Sequence, residues 1–294
     1  MKSQPETRGA QHARVLCLAW DPKSTVVAII SESSVRLLWA DSKKPQETIG
    51  GLLPANLCTG CWSPDGSSVA VGTFDSVITV FKVFKPSVQS RLQLGTVGDV
   101  TALAFSLNGL YLVAGTALGW IVTVRVDGLT PIRKLQRGKA ITSIVWSDAS
   151  VFVVASIGED LAVFDVGDGA LILTCKPRSV YGLGRPRPDG VVPVSNGRDV
   201  FSVNLTKVES TRSIEVGSIV AMDSDAGGTV VLQERSGLVQ VYRGNRLYLT
   251  IQGQRRSDDG WMGGLSISPD GRRMAYINHQ GEVAMRRVGL MLPA

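Results

Sequence analysis

Cys58 and Cys61, with two residues between them, form the pair with the greatest chemical potential in this 294-residue sequence. A Cys-x-x-Cys spacing can supply half of a zinc site or a redox-active dithiol. A zinc site needs two further ligands, and the sequence offers no second cysteine pair and no histidine pair. Residues three apart along a strand also point to opposite faces. We therefore interpret Cys61 as a small core residue and expect no metal at this pair.

The other residues that could do acid–base or nucleophilic chemistry are scattered. The two histidines, His12 and His279, lie near the N-terminus and in a polar turn. Asp99 and Asp223 flank short apolar runs, where carboxylates commonly stabilise turns. The sequence contains no Ser-His-Asp spacing and no glycine-rich phosphate loop. Because function has to be argued from a site, we predict that the protein is not an enzyme and requires no cofactor.

The elements that carry these residues follow a repeat. An apolar residue followed by a Ser-Pro-Asp-Gly-like turn recurs seven times, most clearly at Trp62-Ser63-Pro64-Asp65-Gly66. We call the first residue of each copy its anchor; the anchors are Trp20, Trp62, Phe105, Trp146, Pro186, Met222 and Ile267. Successive anchors lie between 36 and 45 residues apart. A period of this length is typical of a β-propeller with about four strands per blade.

Apolar runs within each repeat predict its strands. The run before the anchor has small or β-branched residues at alternate positions, as in residues 100–104, which suits an inner strand crowded around an axis. Two further runs follow, separated by a polar turn such as residues 73–76, and a looser fourth segment completes the repeat. We therefore predict an all-β fold, namely a seven-bladed β-propeller of four-stranded antiparallel blades.

These features resemble the WD-repeat β-propeller family over about residues 15–288. The inner strands and the Ser-Pro-Asp-Gly turns match best. Gly72-Thr73-Phe74-Asp75 resembles the family's second turn, and Phe164-Asp165 is the nearest counterpart of the Trp-Asp pair that names the family. The Gly-His pair that usually opens a repeat is missing, and Gly158 stands where the turn aspartate would be. The resemblance therefore implies a divergent member in which the usual hydrogen-bonded clasp is mostly absent.

The length and the 44% hydrophobic composition allow a large core, and seven blades use nearly the whole chain. We predict one propeller domain over residues 14–294, preceded at residues 1–13 by an arm that is flexible or closes the ring. Closure removes unpaired strand edges. The fourth strand of the last blade is expected either from residues 288–292 or from the arm.

Bulk properties also indicate a compartment. No apolar run reaches the roughly 18 residues that a membrane helix needs, and residues 1–6 have no signal-peptide character. Four cysteines are too few for a disulfide framework in a chain of this length. We expect a cytoplasmic protein, with the nucleus as the alternative, that does not insert into membranes.

The resemblance implies a non-catalytic scaffold that binds partner proteins or peptides within a larger intracellular complex. We call the face that carries the turns between second and third strands the top face, and the face with the Ser-Pro-Asp-Gly turns the bottom face. Trp and Arg are enriched in interface hot spots. We therefore expect a protein-binding site on the top face, formed by Trp120, Arg255, Arg256 and Trp261. The alternative is that both tryptophans pack between blades.

Two other functions stay open. The net charge of +6 comes from scattered basic residues, so nucleic-acid binding, for instance in a ribonucleoprotein, is permitted without being indicated. It would be favoured if the arginines converged on one face. A propeller enzyme would be favoured if three or four carboxylates or histidines converged near the axis. On the bottom face, Arg185-Pro186-Arg187-Pro188-Asp189 replaces an aromatic anchor and predicts an irregular blade, because proline cannot donate to a strand ladder.

Overall fold

The computed structural model describes residues 14–41, 47–49, 56–255 and 264–288, which form seven separate antiparallel sheets. Within these ranges, Asp127–Leu129 forms the single helical element, a 3-10 turn. The prediction of an all-β, seven-bladed propeller is confirmed. The predicted N-terminal arm at residues 1–13 lies outside the described residues.

The first four blades each have four strands, which run in order from the central channel outward. Blade 1 comprises β1 (Val15–Trp20), β2 (Val26–Ser31), β3 (Ser34–Trp39) and β4 (Glu47–Ile49). Blade 2 comprises β5 (Leu57–Trp62), β6 (Ser68–Thr73), β7 (Val77–Lys82) and β8 (Lys85–Gln93). Blade 3 comprises β9 (Val100–Phe105), β10 (Tyr111–Thr116), β11 (Trp120–Arg125) and β12 (Thr130–Gln136). Blade 4 comprises β13 (Ile141–Trp146), β14 (Val151–Ser156), β15 (Asp160–Asp165) and β16 (Leu171–Arg178).

The last three blades follow the same order. Blade 5 comprises β17 (Gly182–Leu183), β18 (Val191–Ser195), β19 (Asp199–Asn204) and β20 (Glu209–Glu215). Blade 6 comprises β21 (Ile219–Ser224), β22 (Thr229–Glu234), β23 (Leu238–Arg243) and β24 (Arg246–Gln252). Blade 7 comprises, within the described residues, β25 (Leu265–Ile267), β26 (Arg273–Ile277) and β27 (Val283–Arg287). Of the two predicted sources of its fourth strand, residues 288–292 and the N-terminal arm, only Val288 lies within the described part of the chain.

The hydrophobic core lies between blades. In β2 and β6 all six residues are buried, because neighbouring blades cover both faces of these strands. Residues of β2 and β3 share one apolar cluster with residues of β6 and β7. The ring closes in the same way, since β1 and β2 pack against β26 of blade 7. Each sheet thus buries two faces instead of one, which explains the nearly continuous apolar sequence of the second strands.

The Ser-Pro-Asp-Gly phrase folds into a hydrogen-bonded turn between the first and second strands. In blade 2 the Ser63 hydroxyl donates to Asp65 Oδ1 at 2.5 Å and accepts the Ser68 N–H at 3.0 Å. The Ser67 N–H donates to the same Asp65 oxygen at 3.0 Å. Gly66 adopts φ = 72°, a left-handed conformation that glycine accepts without steric cost. The turn needs the side-chain hydrogen bonds of Ser63 and Asp65 and the backbone conformation of Gly66. This explains why the phrase recurs.

Three tryptophan anchors also tie their blades to the preceding blade. Three indole N–H groups donate to a backbone carbonyl of the neighbouring inner strand: Trp62 to Ala19 at 2.9 Å, Trp146 to Ala104 at 3.1 Å and Trp20 to Ser266 at 3.2 Å. In every case the acceptor is the residue before the neighbour's anchor. The bond from Trp20 joins blade 1 to blade 7 and therefore spans the closure of the ring.

Blades 5 and 6 depart from the regular pattern. The inner strand β17 has only two residues, which confirms the irregularity predicted from Pro186. In blade 6, Ser224 pairs with Val230 as Trp62 pairs with Val69 in blade 2. The anchor predicted at Met222 is therefore wrong by two residues. The sequence offers two aspartates for the turn position, and the structure uses the second, Asp225.

We expect Trp62→Phe to lower the free energy of unfolding by about 1–3 kcal/mol, because the Ala19 carbonyl loses its donor while the aromatic packing is largely kept. Urea unfolding followed by circular dichroism measures the change. Phe105→Leu is the control, because it makes the side chain of an anchor smaller without removing a hydrogen bond. It should lower the free energy of unfolding by less than about 1.5 kcal/mol. Unchanged stability in Trp62→Phe would contradict a stabilising role for the indole bond.

Asp65 provides a pH-dependent test of the turn. Burial by itself would raise its pKa, but hydrogen bonds from Ser63 and Ser67, together with nearby Lys82, lower that pKa to about 2. A carboxylate with a depressed folded-state pKa stabilises the fold above its unfolded pKa and loses that contribution as the pH falls through the folded value. Asp65→Asn should therefore cost about 1 kcal/mol or less at pH 7, because the side chain is exposed. The difference from the parent protein should vanish between about pH 4 and pH 2, as measured by urea unfolding across that range. A constant difference would show that the charge of Asp65 does not hold the turn.

Candidate functional site

A cavity of about 640 Å³ occupies the bottom-face end of the central channel. Residues of all seven blades line it. The small inner-strand residues Ala19, Cys61, Ala104 and Val145, which share one position in the repeat, form part of this wall. The site is therefore a product of the repeat, and its lining is mostly apolar.

Two charged side chains, Arg185 and Asp223, reach the cavity. The half-buried Arg185 guanidinium donates to the Ile267 carbonyl at 3.3 Å. Asp223 Oδ2 accepts the Ser266 hydroxyl at 2.8 Å and the Ile267 N–H at 2.9 Å. Both side chains thus bind the inner strand of blade 7 and connect blades 5 and 6 to it. From the sequence, Asp223 is interpreted as a carboxylate that stabilises a turn. In the structure it bonds blade 6 to blade 7.

Cys58 and Cys61 have separate environments. Cys58 Sγ donates to the Val100 carbonyl at 2.6 Å and lies 3.3 Å from the Gly72 carbonyl oxygen, whereas Cys61 lines the channel. Burial raises the pKa of Cys58 to about 12 and also raises the pKa of Cys61. Thiols held protonated at neutral pH are poor nucleophiles and poor metal ligands. These surroundings agree with the interpretation of Cys61 as a packing residue.

Cys58 belongs to a recurring contact that sequence analysis missed. A β-bulge near the start of the inner strand leaves one residue of the ladder unpaired in blades 2, 3 and 4. Its side chain donates to a backbone carbonyl at the start of the next blade: Cys58 to Val100, Thr101 to Ile141 and Thr142 to Val180, each at 2.6 Å. The available signal was a hydrogen-bond donor at one position of three consecutive repeats. This contact replaces part of the clasp that the sequence lacks.

Groups for metal or acid–base chemistry do not converge in the described part of the chain. Across residues 14–41, 47–49, 56–255 and 264–288, no three His, Cys, Asp or Glu side chains form a cluster that could hold a metal ion. His279 is exposed in the turn after β26. His12 lies outside the described residues. The channel cavity therefore contains one cationic and one anionic side chain, both already hydrogen-bonded to blade 7.

The residues predicted for the top face are only partly brought together. Trp120 begins β11, as expected, but it is half-buried and packs against the apolar cluster between blades 2 and 3. Arg255 is exposed and follows β24 of blade 6. Blades 4 and 5 lie between these two residues around the ring. Arg256 and Trp261 lie outside the described residues, so the predicted grouping stays a prediction.

The top face carries an apolar surface that the sequence analysis did not single out. Phe74, Leu118 and Ile157 occupy the turns between the second and third strands of blades 2, 3 and 4, and they are 45%, 56% and 40% exposed. We call these three residues the top-face arc. The signal was a large apolar residue inside three successive polar turns. Because single exposed apolar residues are normal, it is their alignment on adjacent blades that distinguishes this surface.

None of the helical segments in the described ranges is long and apolar enough to span a membrane. This finding concerns the described residues alone.

Comparisons with known proteins agree with the architecture. No protein-family model matches the chain. Over 157 residues it is 29% identical to a curated relative, THO complex subunit 3 of Arabidopsis thaliana, a match that covers 51% of this chain and 48% of that protein. The chain thus spans about half the length of this relative. A solved structure, the Crystal Structure of Mitotic Checkpoint Complex, contains a chain that superposes with a TM-score of 0.76 at 16% identity, covering 93% of this chain and 89% of the other.

The seven blades, the repeated Ser-Asp turn and the likeness to these two proteins lead to one conclusion. The chain is similar to WD-repeat β-propeller proteins in its seven-bladed fold and in its repeat.

Proposed function

We propose that this protein is a non-catalytic scaffold subunit that binds partner proteins or peptides within a larger complex, in the cytoplasm or alternatively in the nucleus. The observation that carries the proposal is the top-face arc. Three large apolar side chains stand in the turns between second and third strands of three consecutive blades and remain exposed. Large apolar side chains that stay exposed on neighbouring elements of a folded protein are the kind of surface that partner proteins cover.

Two of the three turns that present this arc are fixed by a buried threonine beneath them. Thr73 and Thr116, each fully buried at the end of a second strand, accept backbone N–H groups of the following turn. Thr73 Oγ1 accepts from Asp75 at 3.2 Å and from Val77 at 3.1 Å, and Thr116 Oγ1 accepts from Trp120 at 3.1 Å. A surface fixed in this way loses little conformational entropy on binding. The top-face arc is therefore preorganised for a partner.

The residues expected from the sequence fit this proposal in two groups. Trp120 follows Leu118 closely and would support the arc from within the gap between blades 2 and 3. Arg255, Arg256 and Trp261 would form a second contact on the far side of the same face, where the arginines would pair with acidic groups of a partner. A partner that reaches both groups would have to extend across the top of the ring.

The names of the similar proteins support a role in an assembly. The curated relative is named as a subunit of the THO complex, and the similar chain of known structure comes from a complex of the mitotic checkpoint. Each name describes that protein. For the present chain, they favour binding within a complex over the enzyme alternative, which also lacks a convergence of catalytic groups among the described residues.

We expect the triple variant Phe74→Ser/Leu118→Ser/Ile157→Ser to lose most of the proteins that co-purify stoichiometrically with the tagged parent, because the variant removes the apolar contacts and leaves the ring intact. Quantitative mass spectrometry after affinity purification from the native cells measures the loss. A second variant, Trp120→Ala/Arg255→Glu/Arg256→Glu/Trp261→Ala, tests the residues predicted from the sequence.

The matched control is Ile132→Ser/Leu171→Ser/Ile172→Ser. These three residues lie on the outer strands β12 and β16 and have similar exposures of 46%, 51% and 50%. The control should keep its partners. Equal losses in both triple variants would contradict a site on the top face, and the absence of any stoichiometric partner for the parent protein would overturn the scaffold proposal itself.

A further inference from the structure

The bottom-face ends of blades 6 and 7 concentrate arginine. Four segments meet this end of the two blades: residues 224–229, 243–246, 268–273 and 286–287. Together they contain six arginines, which we call the arginine rim: Arg243, Arg246, Arg272, Arg273, Arg286 and Arg287. The same segments contain two carboxylates, Asp225 and Asp270. The arginines that look scattered in the sequence thus converge on one side of one face.

Strand pairing places some of these charges directly opposite each other. Arg273 pairs with Arg287 across β26 and β27, and Arg243 pairs with Arg246 across the turn between β23 and β24. Like charges at directly opposite positions destabilise a sheet. Arg273 also donates to the Ser24 carbonyl of blade 1 at 3.3 Å. The pairing of like charges in two adjacent blades is nevertheless unfavourable for the sheet itself.

The rim has little internal neutralisation. Within the described ranges, none of the six arginines has a carboxylate oxygen within 4.0 Å. The two carboxylates serve their own turns: Asp225 accepts the Thr229 N–H at 2.7 Å, and Asp270 accepts the Ser268 hydroxyl at 2.5 Å and the Arg272 N–H at 3.0 Å. Arg246, Arg272, Arg286 and Arg287 are exposed. Their guanidinium groups are thus available to an external anion.

An aromatic ring lies beside the rim. Tyr248 in β24 is 48% exposed, and the Arg243 guanidinium carbon lies 5.3 Å from the centre of its ring. This distance is within the range of a cation–π contact. An exposed ring supported by a guanidinium is the kind of surface on which a nucleic-acid base stacks.

We propose that the arginine rim, with Tyr248, is a binding surface for single-stranded nucleic acid. The guanidinium groups would hold successive backbone phosphates, and Tyr248 would stack against one base. The inference is independent of the scaffold function, because it uses the other face of the ring and different residues.

The observations favour nucleic acid over an acidic protein segment. All six cations are arginine, whose planar fork binds phosphate and carboxylate alike in a bidentate manner, so the neighbouring ring decides between them. The exposed aromatic ring offers a stacking partner that a base matches and a carboxylate does not. Stacking on this ring needs an unpaired base, which a single strand offers and a duplex does not.

The test measures binding of the purified full chain to a fluorescein-labelled oligouridylate of about 15 nucleotides by fluorescence anisotropy. Oligothymidylate of the same length, duplex RNA and an oligoglutamate peptide are compared in parallel, so that the two sources of a single strand are distinguished from a duplex and from an acidic protein. We expect the single strands to bind most tightly. Raising the salt concentration should weaken that binding by a log–log slope of about 0.7 per phosphate contact.

Arg286→Glu/Arg287→Glu should weaken binding at least tenfold and reduce the salt slope by about 1.4, the value for two lost contacts on a single strand. This variant is expected to fold, because a glutamate at position 287 faces Arg273 across the strand pair. The control Lys139→Glu/Arg198→Glu changes the net charge equally at two exposed residues of the top face. It should change the affinity by less than about twofold.

Tyr248→Ala should weaken binding about fivefold or more without changing the salt slope, and Tyr248→Phe should keep the parent affinity, because stacking needs the ring and not the hydroxyl. Equal losses in the rim variant and the top-face control would reduce the effect to net charge and overturn the proposal. Oligoglutamate binding as tight as oligouridylate would assign the rim to an acidic protein partner instead. Failure of the parent protein to bind either single strand at low salt would also overturn it.

Discussion

Contact between neighbouring blades is the interaction on which this molecule depends. No single sheet could stand alone, because its second strand is apolar on both faces and needs a neighbour on each side. Hydrogen bonds between neighbouring blades then fix the orientation of each blade relative to the next one. Trp62, for example, donates to blade 1, and Thr101 donates to blade 4. Packing supplies most of the stabilisation, and these directional bonds set the geometry of the ring.

The number of blades and the location of most strands followed from the sequence alone. The period of the anchors and the chemistry of turns such as Ser63-Pro64-Asp65-Gly66 are local properties, and local properties are visible in a sequence. The misplaced anchor at Met222 shows the limit of this reasoning, since two nearby aspartates matched the turn equally well. Only the pairing of Ser224 with Val230 decides between them.

Contacts between blades could not be predicted in the same way. A repeat identifies which residues share a position, but it does not say which neighbouring atom they meet. The role of Asp223 depends on the distance to Ser266, which is 43 positions further along the chain. Surface groupings depend even more on the fold. The alignment of Phe74, Leu118 and Ile157, and the convergence of arginines from blades 6 and 7, arise from the way the ring arranges equivalent turns. Predicting Trp120 as a surface anchor had the same weakness, because its packing partners come from an adjacent blade.

Blade 5 gives the ring an uneven stiffness. Its inner strand has two residues where most of the others have six, and Pro193 in the paired strand has no N–H to donate. In a closed ring, any deformation is distributed over all the blades. The inner strand with the fewest ladder hydrogen bonds resists deformation least. Arg185 follows that segment directly and binds the Ile267 carbonyl across the cavity. The channel wall thus has its fewest ladder hydrogen bonds at blade 5, and Arg185 adds a side-chain bond there, whereas the wall formed by blades 1 to 3 is regular.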